Sequence, residues 1–292
     1  MCDPSQEPVS QKNQLLPFEM GYLPKEFQEK AVSEINETSE NKIRGLEELR
    51  EMVKLDESLA GIELDEEFLL VFLRYAKYDI KEAFSRLKNL MKLKTDHMYM
   101  FSGQLFDVIV KTATDKVLTY LPHRCPDGCG IIYLNLDNWI PEDFPPLEVK
   151  RMVPILLLQG VREPMNQVNG FKVIIDAKSN PWRHLRHCTF SNLYLMYHGS
   201  QCCFPGIFHS YHIVNMAFTG KFCYQMMKPF LPEELRRRLY IHSSTEELLK
   251  YFPAEVLPRE YGGEVDNIDM TGWLKRVMEP EKLEMMCGKF PD

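Results

Sequence analysis

Hydrophobic positions recur at helical spacing in the first third of the chain, then alternate between strand and helix periods in the remainder. Between Asn41 and about Thr95 the pattern predicts three helices. Asp65 stands ahead of EEFLLVFLRYAK and Asp79 ahead of IKEAFSRLKNLMKLK, each placed to cap a first turn. Leu69, Phe72, Leu73, Ile80, Phe84, Leu87 and Leu90 form the stripes that a small bundle buries. Farther on, the periods predict strand 130–136, helix 146–163, strand 170–176, helix 189–203, strand 208–214, helix 217–228, strand 237–242 and helix 244–251. This β/α alternation predicts an α/β fold with a mostly parallel sheet under helical cover. Residues 1–40 are polar with scattered anchors such as Leu15, Leu16, Phe18, Tyr22 and Leu23, and read as a tail that docks locally.

Two apolar features stand out against this background. In the strand at 170–176, Phe171, Val173 and Ile175 share one face while Lys172 and Ile174 share the other, so one face is wholly apolar. In the helix at 217–228, Phe218, Phe222 and Met226 recur every fourth residue and continue to Phe230, with Cys223 and Met227 widening the stripe. A bulky, soft face of this kind needs apolar surface beneath it. Two readings are open: a helix packed on the core, or a lid over an apolar cavity floored by the strand.

Composition narrows the function classes. At 292 residues and 45% hydrophobic, the chain can bury a large core. A net charge of −7 argues against nucleic-acid binding, which calls for clustered Lys and Arg. No run approaches the ~18 apolar residues of a spanning helix, and MCDPSQEPVSQK lacks a basic-then-apolar leader. A cytoplasmic protein is expected. The eight cysteines are irregularly spaced; Cys125 and Cys129 flank a Pro-Asp-Gly turn, and Cys202, Cys203 and Cys223 read as small buried hydrophobes. His184 and His187 lack a third ligand, so no metal site is expected. HGSQC at 198–202 lacks the second glycine of a nucleophile elbow, and no phosphate-binding glycine motif occurs. Neither catalytic residues nor a cofactor is expected.

The run HIVN at 212–215, KPFL at 228–231 and LPREYGGE at 257–264 resembles the C-terminal signature of CRAL-TRIO lipid-transfer proteins. Upstream, residues 65–94 are similar to the family's helical module and NGFKVIID at 169–176 to its central strand, in family order and spacing. The resemblance implies a tail at 1–40, a helical module at 41–98, a lipid-binding domain at 99–265 and an extension at 266–292. It also implies that the sheet floors a lipid cavity closed by a mobile lid helix. After Asp176 the family usually places a glycine, whereas Asn180-Pro181-Trp182 forms the bend here.

Positions similar to the cavity wall of the family's tocopherol-binding members are Val153, Leu157, Phe171, Ile175, Met196, Phe204, Phe208, Tyr211, Cys223 and Met227. Val173, Phe218 and Phe222 join them from the strand and lid faces. Val153 and Leu157 are apolar where those members carry serines, so Tyr211, Tyr194 or His212 is the candidate hydrogen-bonding partner for a ligand head. The basic patch by which those members hold phosphoinositides corresponds to Ala76, Ile207, His209, Glu234 and Arg238 here. Arg236, Arg237, Arg238 and Lys77 form a displaced candidate headgroup site. The resemblance therefore implies a monomeric soluble carrier of one hydrophobic lipid (tocopherol, a retinoid or a similar isoprenoid). Its partners would be that lipid and transient membrane surfaces, including phosphoinositide. A non-transferring lipid-sensing or protein-interaction module that binds a phospholipid is the alternative.

Overall fold

A computed structural model describes residues 15–101, 117–178, 183–184, 186–187 and 189–277. The first helix, α1 (Lys25–Ile35), lies inside the segment expected as a polar tail. Phe27, Ala31 and Ile35, one turn apart, are buried against Met165 and Val168, and Asn36 ends the helix in the left-handed region at φ 62°. Helices α2 (Ser39–Leu55), α3 (Glu66–Tyr75) and α4 (Ile80–Asp96) follow. The two caps read from sequence are in place: Asp65 Oδ1 accepts from the Phe68 N–H at 2.7 Å, and Asp79 Oδ1 from the Glu82 N–H at 3.0 Å. Helix α3 is central, with every side chain from Phe68 to Arg74 buried.

The sheet runs β1 (Leu118–Tyr120), β2 (Gly130–Asn135), β3 (Phe171–Asp176), β4 (Phe208–Val214) and β5 (Leu239–Ile241), in that spatial order. Only β1 is antiparallel to its neighbour. Helices α5 (Pro146–Val161) and α6 (Pro164–Asn169) cross from β2 to β3, α7 (Phe190–His198) from β3 to β4, and α8 (Phe218–Met227) with α9 (Glu233–Arg237) from β4 to β5. The helix expected at 146–163 ends two residues early at Val161, and a further helix that the pattern did not predict follows it, opened by Pro164, which lacks an N–H, as its first residue. The helix expected at 189–203 ends as a wider π-turn over Gly199–Cys203. A final helix, α10 (Thr271–Val277), buries Trp273 and Leu274 against the main core.

Register assigns the two faces of the sheet. Val173 pairs with Ile132 and Tyr211, and Ile175 with Leu134 and Ile213, so these side chains share a front face. That face joins the same core as α2 to α5. The back face carries Ile131, Tyr133, Ile174 and Val214 and packs on Leu248, Phe252, Val256, Leu257 and Tyr261. Close packing also explains Gly160: a Cβ there would meet the Tyr120 hydroxyl, which donates to the Leu156 carbonyl at 2.9 Å. The Cys125–Cys129 segment is a turn, with Gly128 at φ 84° and both thiols buried.

Candidate functional site

The front face grades from packed core to solvent. At its centre Phe171, Val173, Phe204 and Phe208 are buried, with ring centroids 6.3 Å apart for Phe171–Phe204, 6.0 Å for Phe171–Phe208 and 5.4 Å for Phe204–Phe208. Around this centre Val153, Leu157, Ile175, Leu195 and Tyr211 are only half-buried, each packed on the same core. Burial pushes the Tyr211 phenol up to about 12, so it stays protonated. It is the hydrogen-bonding side chain on the front face of β4.

Beyond this rim the apolar surface is uncovered. Helix α7 buries none of its residues, and Phe190 (86% exposed), Tyr194, Met196 and Tyr197 stand in solvent. On α8 the phenylalanine face points outward as well: Phe218 is 85% and Phe222 59% exposed. The side of α8 bearing Lys221, Tyr224 and Gln225 instead lines a cleft of about 320 Å³ with Leu239, Ile241 and His242. Cys223 and Met227 lie on α8, but their side chains, like those of Met226 and Phe230, are outside the described set.

The four basic candidates do not form one free positive patch. Along α9 and its C-cap residue Arg238, Arg237 is ion-paired with Glu233 and Arg238 with Glu234, one turn apart. Arg238 also donates to the Phe208 carbonyl at 3.2 Å, and the Nε of the half-buried Arg236 has no hydrogen-bond partner among the described residues. Lys77 is exposed in the tight α3–α4 turn, where it and Tyr78 hold φ of 51° and 66°.

His212 does not serve the front face. Pairing with Ile174 places it on the back, where its Nε2 meets Ser210 Oγ at 2.8 Å and its Nδ1 meets His242 Nε2 at 3.0 Å. Burial and the neighbouring His242 depress its imidazole to about 3, so it is neutral. Period-two reading of β4 would have separated Tyr211 from His212. Of the other polar candidates, Tyr194 stacks on His198 in solvent. Burial pushes the Cys203 thiol up to about 12, and Ser200 donates to the Tyr197 carbonyl at 3.2 Å. The bend at Asn180-Pro181-Trp182 lies outside the described residues.

Three of the segments that resemble a family signature, NGFKVIID, HIVN and LPREYGGE, converge on one back-face carboxylate. Asp176, closing NGFKVIID, accepts from Asn215 of HIVN at 3.0 Å and from Tyr261 of LPREYGGE at 2.6 Å. Asn215 holds φ 57°, and Tyr133 completes the cluster at 2.7 Å from Tyr261. These three segments therefore clamp the C-terminal edge of the central strand, while the graded apolar surface lies across the sheet.

Residues 114–263 match the family model described as the CRAL/TRIO domain, and the chain belongs to this family of lipid-binding and lipid-transfer proteins. It is similar to the alpha-tocopherol transfer protein-like protein of Mus musculus, 30% identical over 90% of this chain and 77% of the relative. Clavesin-2 of Rattus norvegicus is 30% identical over 89% of this chain and 80% of that protein. A crystal structure of Sfh5 aligns with a TM-score of 0.49 at 12% identity, covering 84% of this chain and 98% of its own. No helix among the described residues is long and apolar enough to cross a membrane.

Proposed function

We propose that this protein binds one hydrophobic lipid over the front face of its sheet and moves it between membranes. The observation that carries this reading is the gradient from the buried Phe171–Phe208 centre through the half-buried Val153, Leu157, Ile175 and Tyr211 to the exposed α7 and α8. Enclosing ~500 Å² of apolar ligand surface at about 25 cal/mol per Å² is worth roughly 12 kcal/mol gross, before ordering costs. Affinity then needs little polar contact. The neutral Tyr211 hydroxyl offers one hydrogen bond to a ligand head, which suits a tocopherol, a retinoid or a similar isoprenoid with a single polar end.

Release is the harder step, and α8 is suited to it. Its exposed Phe218 and Phe222, together with the exposed Phe190 and Tyr194 of α7, present aromatic surface to a lipid interface. In a closed state the same α8 face would cover the ligand. With Arg237 and Arg238 already paired, docking draws more on these rings than on phosphoinositide charge. The protein so read acts peripherally at membranes and catalyses no covalent step. Extraction of the purified protein with organic solvent, followed by mass spectrometry, tests this: one hydrophobic species per chain is expected. Empty protein that also takes up nothing from lipid vesicles would refute it.

A further inference from the structure

A second cavity, of about 440 Å³, lies at the seam between the helical module and the lipid-binding domain. It is walled by α2, α3, α5, α6, α10 and the segment before α1, and none of its lining residues belongs to the sheet. Its carboxylates each already hold a donor or stand in solvent. On the acceptor side Asp65 caps α3, Glu163 takes the Met20 N–H at 2.8 Å and the Trp273 indole N–H at 3.4 Å, and Glu19 holds Arg276. Glu67 is solvent-exposed and screened.

The donor side keeps capacity in reserve. Arg74 gives three N–H groups to Glu37 and Gln167, leaving part of its five-donor fork unspent. Gln159, 1% exposed, accepts from Arg162 through Oε1 at 3.4 Å, which sets the amide so that Nε2 is the end with no hydrogen-bond partner among the described residues. Lys42 is half-buried and has no ion pair among the described residues. A buried amide donor without an acceptor costs stability and calls for an explanation.

We infer that this seam is a second ligand site, which takes a small organic molecule bearing an oxyanion, a carboxylate or a phosphate. Both groups present several acceptor oxygens to Lys42, Arg74 and Gln159, and Phe68 and Val71 supply an apolar wall for the remainder. Because six chain segments meet here, an occupant favours the docked arrangement of module and domain by mass action.

Isothermal titration of the full chain with citrate and, separately, with inorganic phosphate, at matched ionic strength, tests the site. At least one probe is expected to bind saturably with Kd of about 1 mM or tighter. Lys42→Ala, at a partly exposed position, should weaken that binding about tenfold without altering the circular dichroism. Gln159→Leu should weaken it too while leaving thermal stability equal or higher, because it removes the unpartnered amide; a purely structural glutamine would show the reverse. Phosphate binding alone would assign a phosphorylated ligand, and citrate binding alone a polycarboxylate. Failure of both probes to bind saturably, or binding that survives both substitutions, overturns the inference.

Discussion

The Tyr261 hydroxyl donates to the Asp176 carboxylate at 2.6 Å, joining the end of the central strand to a segment 85 residues farther along the chain. Burial and this carboxylate raise the Tyr261 phenol well above its ordinary range, so it remains a donor at any physiological pH. Tyr261→Phe leaves Asp176 short of its shortest hydrogen bond while keeping the ring. A loss of about 1–3 kcal/mol in denaturant unfolding is expected. An unchanged unfolding midpoint would remove the clamp from the account.

Acid should destabilise the protein through the back-face histidines. Burial depresses His212 to about 3 and lowers His242, so in the pH window below about 6.5 the unfolded chain binds protons that the folded one does not. Stability therefore rises with pH through that window and falls as pH drops from 6.5 toward 3. Replacing His212 with Gln should flatten this part of the pH–stability profile, measured by thermal unfolding between pH 4 and 7. A profile as steep as the parent's would place the acid sensitivity elsewhere.

Exposure decides the expected behaviour of the lid variants. Phe218 and Phe222 are mostly in solvent, so the Phe218→Ala, Phe222→Ala pair should alter stability by only about 0.5 kcal/mol per site. Vesicle association should nonetheless fall sharply, with a weak salt dependence. Flotation with and without phosphatidylinositol bisphosphate separates this from a charge-driven mode. A gain of about tenfold with bisphosphate, abolished by neutralising Arg236, Arg237 and Arg238, would show that charge governs docking.

Arg74 ties the helical module together and to the rest of the chain, with Nε and Nη2 on the Glu37 carboxylate and Nη1 on Gln167, each at 2.6 Å. Arg74→Ala strands Glu37, which is mostly buried, and should cost about 3–5 kcal/mol. Replacing both Arg74 and Glu37 with apolar residues of similar size should recover part of that loss. Equal stability of the single and double variants would argue against the pair.

Elements defined by local pattern were legible in the sequence. The Asp65 and Asp79 caps, strands β2, β3 and β4, and helix α8 fall within a residue or two of their expected bounds. Helix α1 was hidden by its polar surface, although Phe27, Ala31 and Ile35 at four-residue spacing carried the signal. β1 has three residues, too few for a period, and the helix expected at 244–251 is a 3₁₀ turn over Thr245–Lys250. Side-chain placement at the site was less legible. The period-two rule puts Phe171, Val173 and Ile175 on one face, but not that α5 and the helical module bury the first two and leave Ile175 at the rim. The exposed phenylalanines of α8 follow from where the helix sits beside β5, which no local pattern encodes.

Lipid uptake by Ile175→Trp separates a ligand held on the front face from one held elsewhere. Ile175 is half-buried at the boundary between the packed front face and the uncovered aromatic surface, so an indole there should occupy the ligand's place with little disturbance to the core. The measurement is the number of lipid molecules retained per chain after incubation with tocopherol-loaded or retinoid-loaded vesicles, read by mass spectrometry beside circular dichroism. Front-face binding predicts one per chain for the parent with at least one of the two lipids, and close to none for a natively folded Ile175→Trp variant. Equal retention by a natively folded variant would contradict it and place the lipid away from the front face.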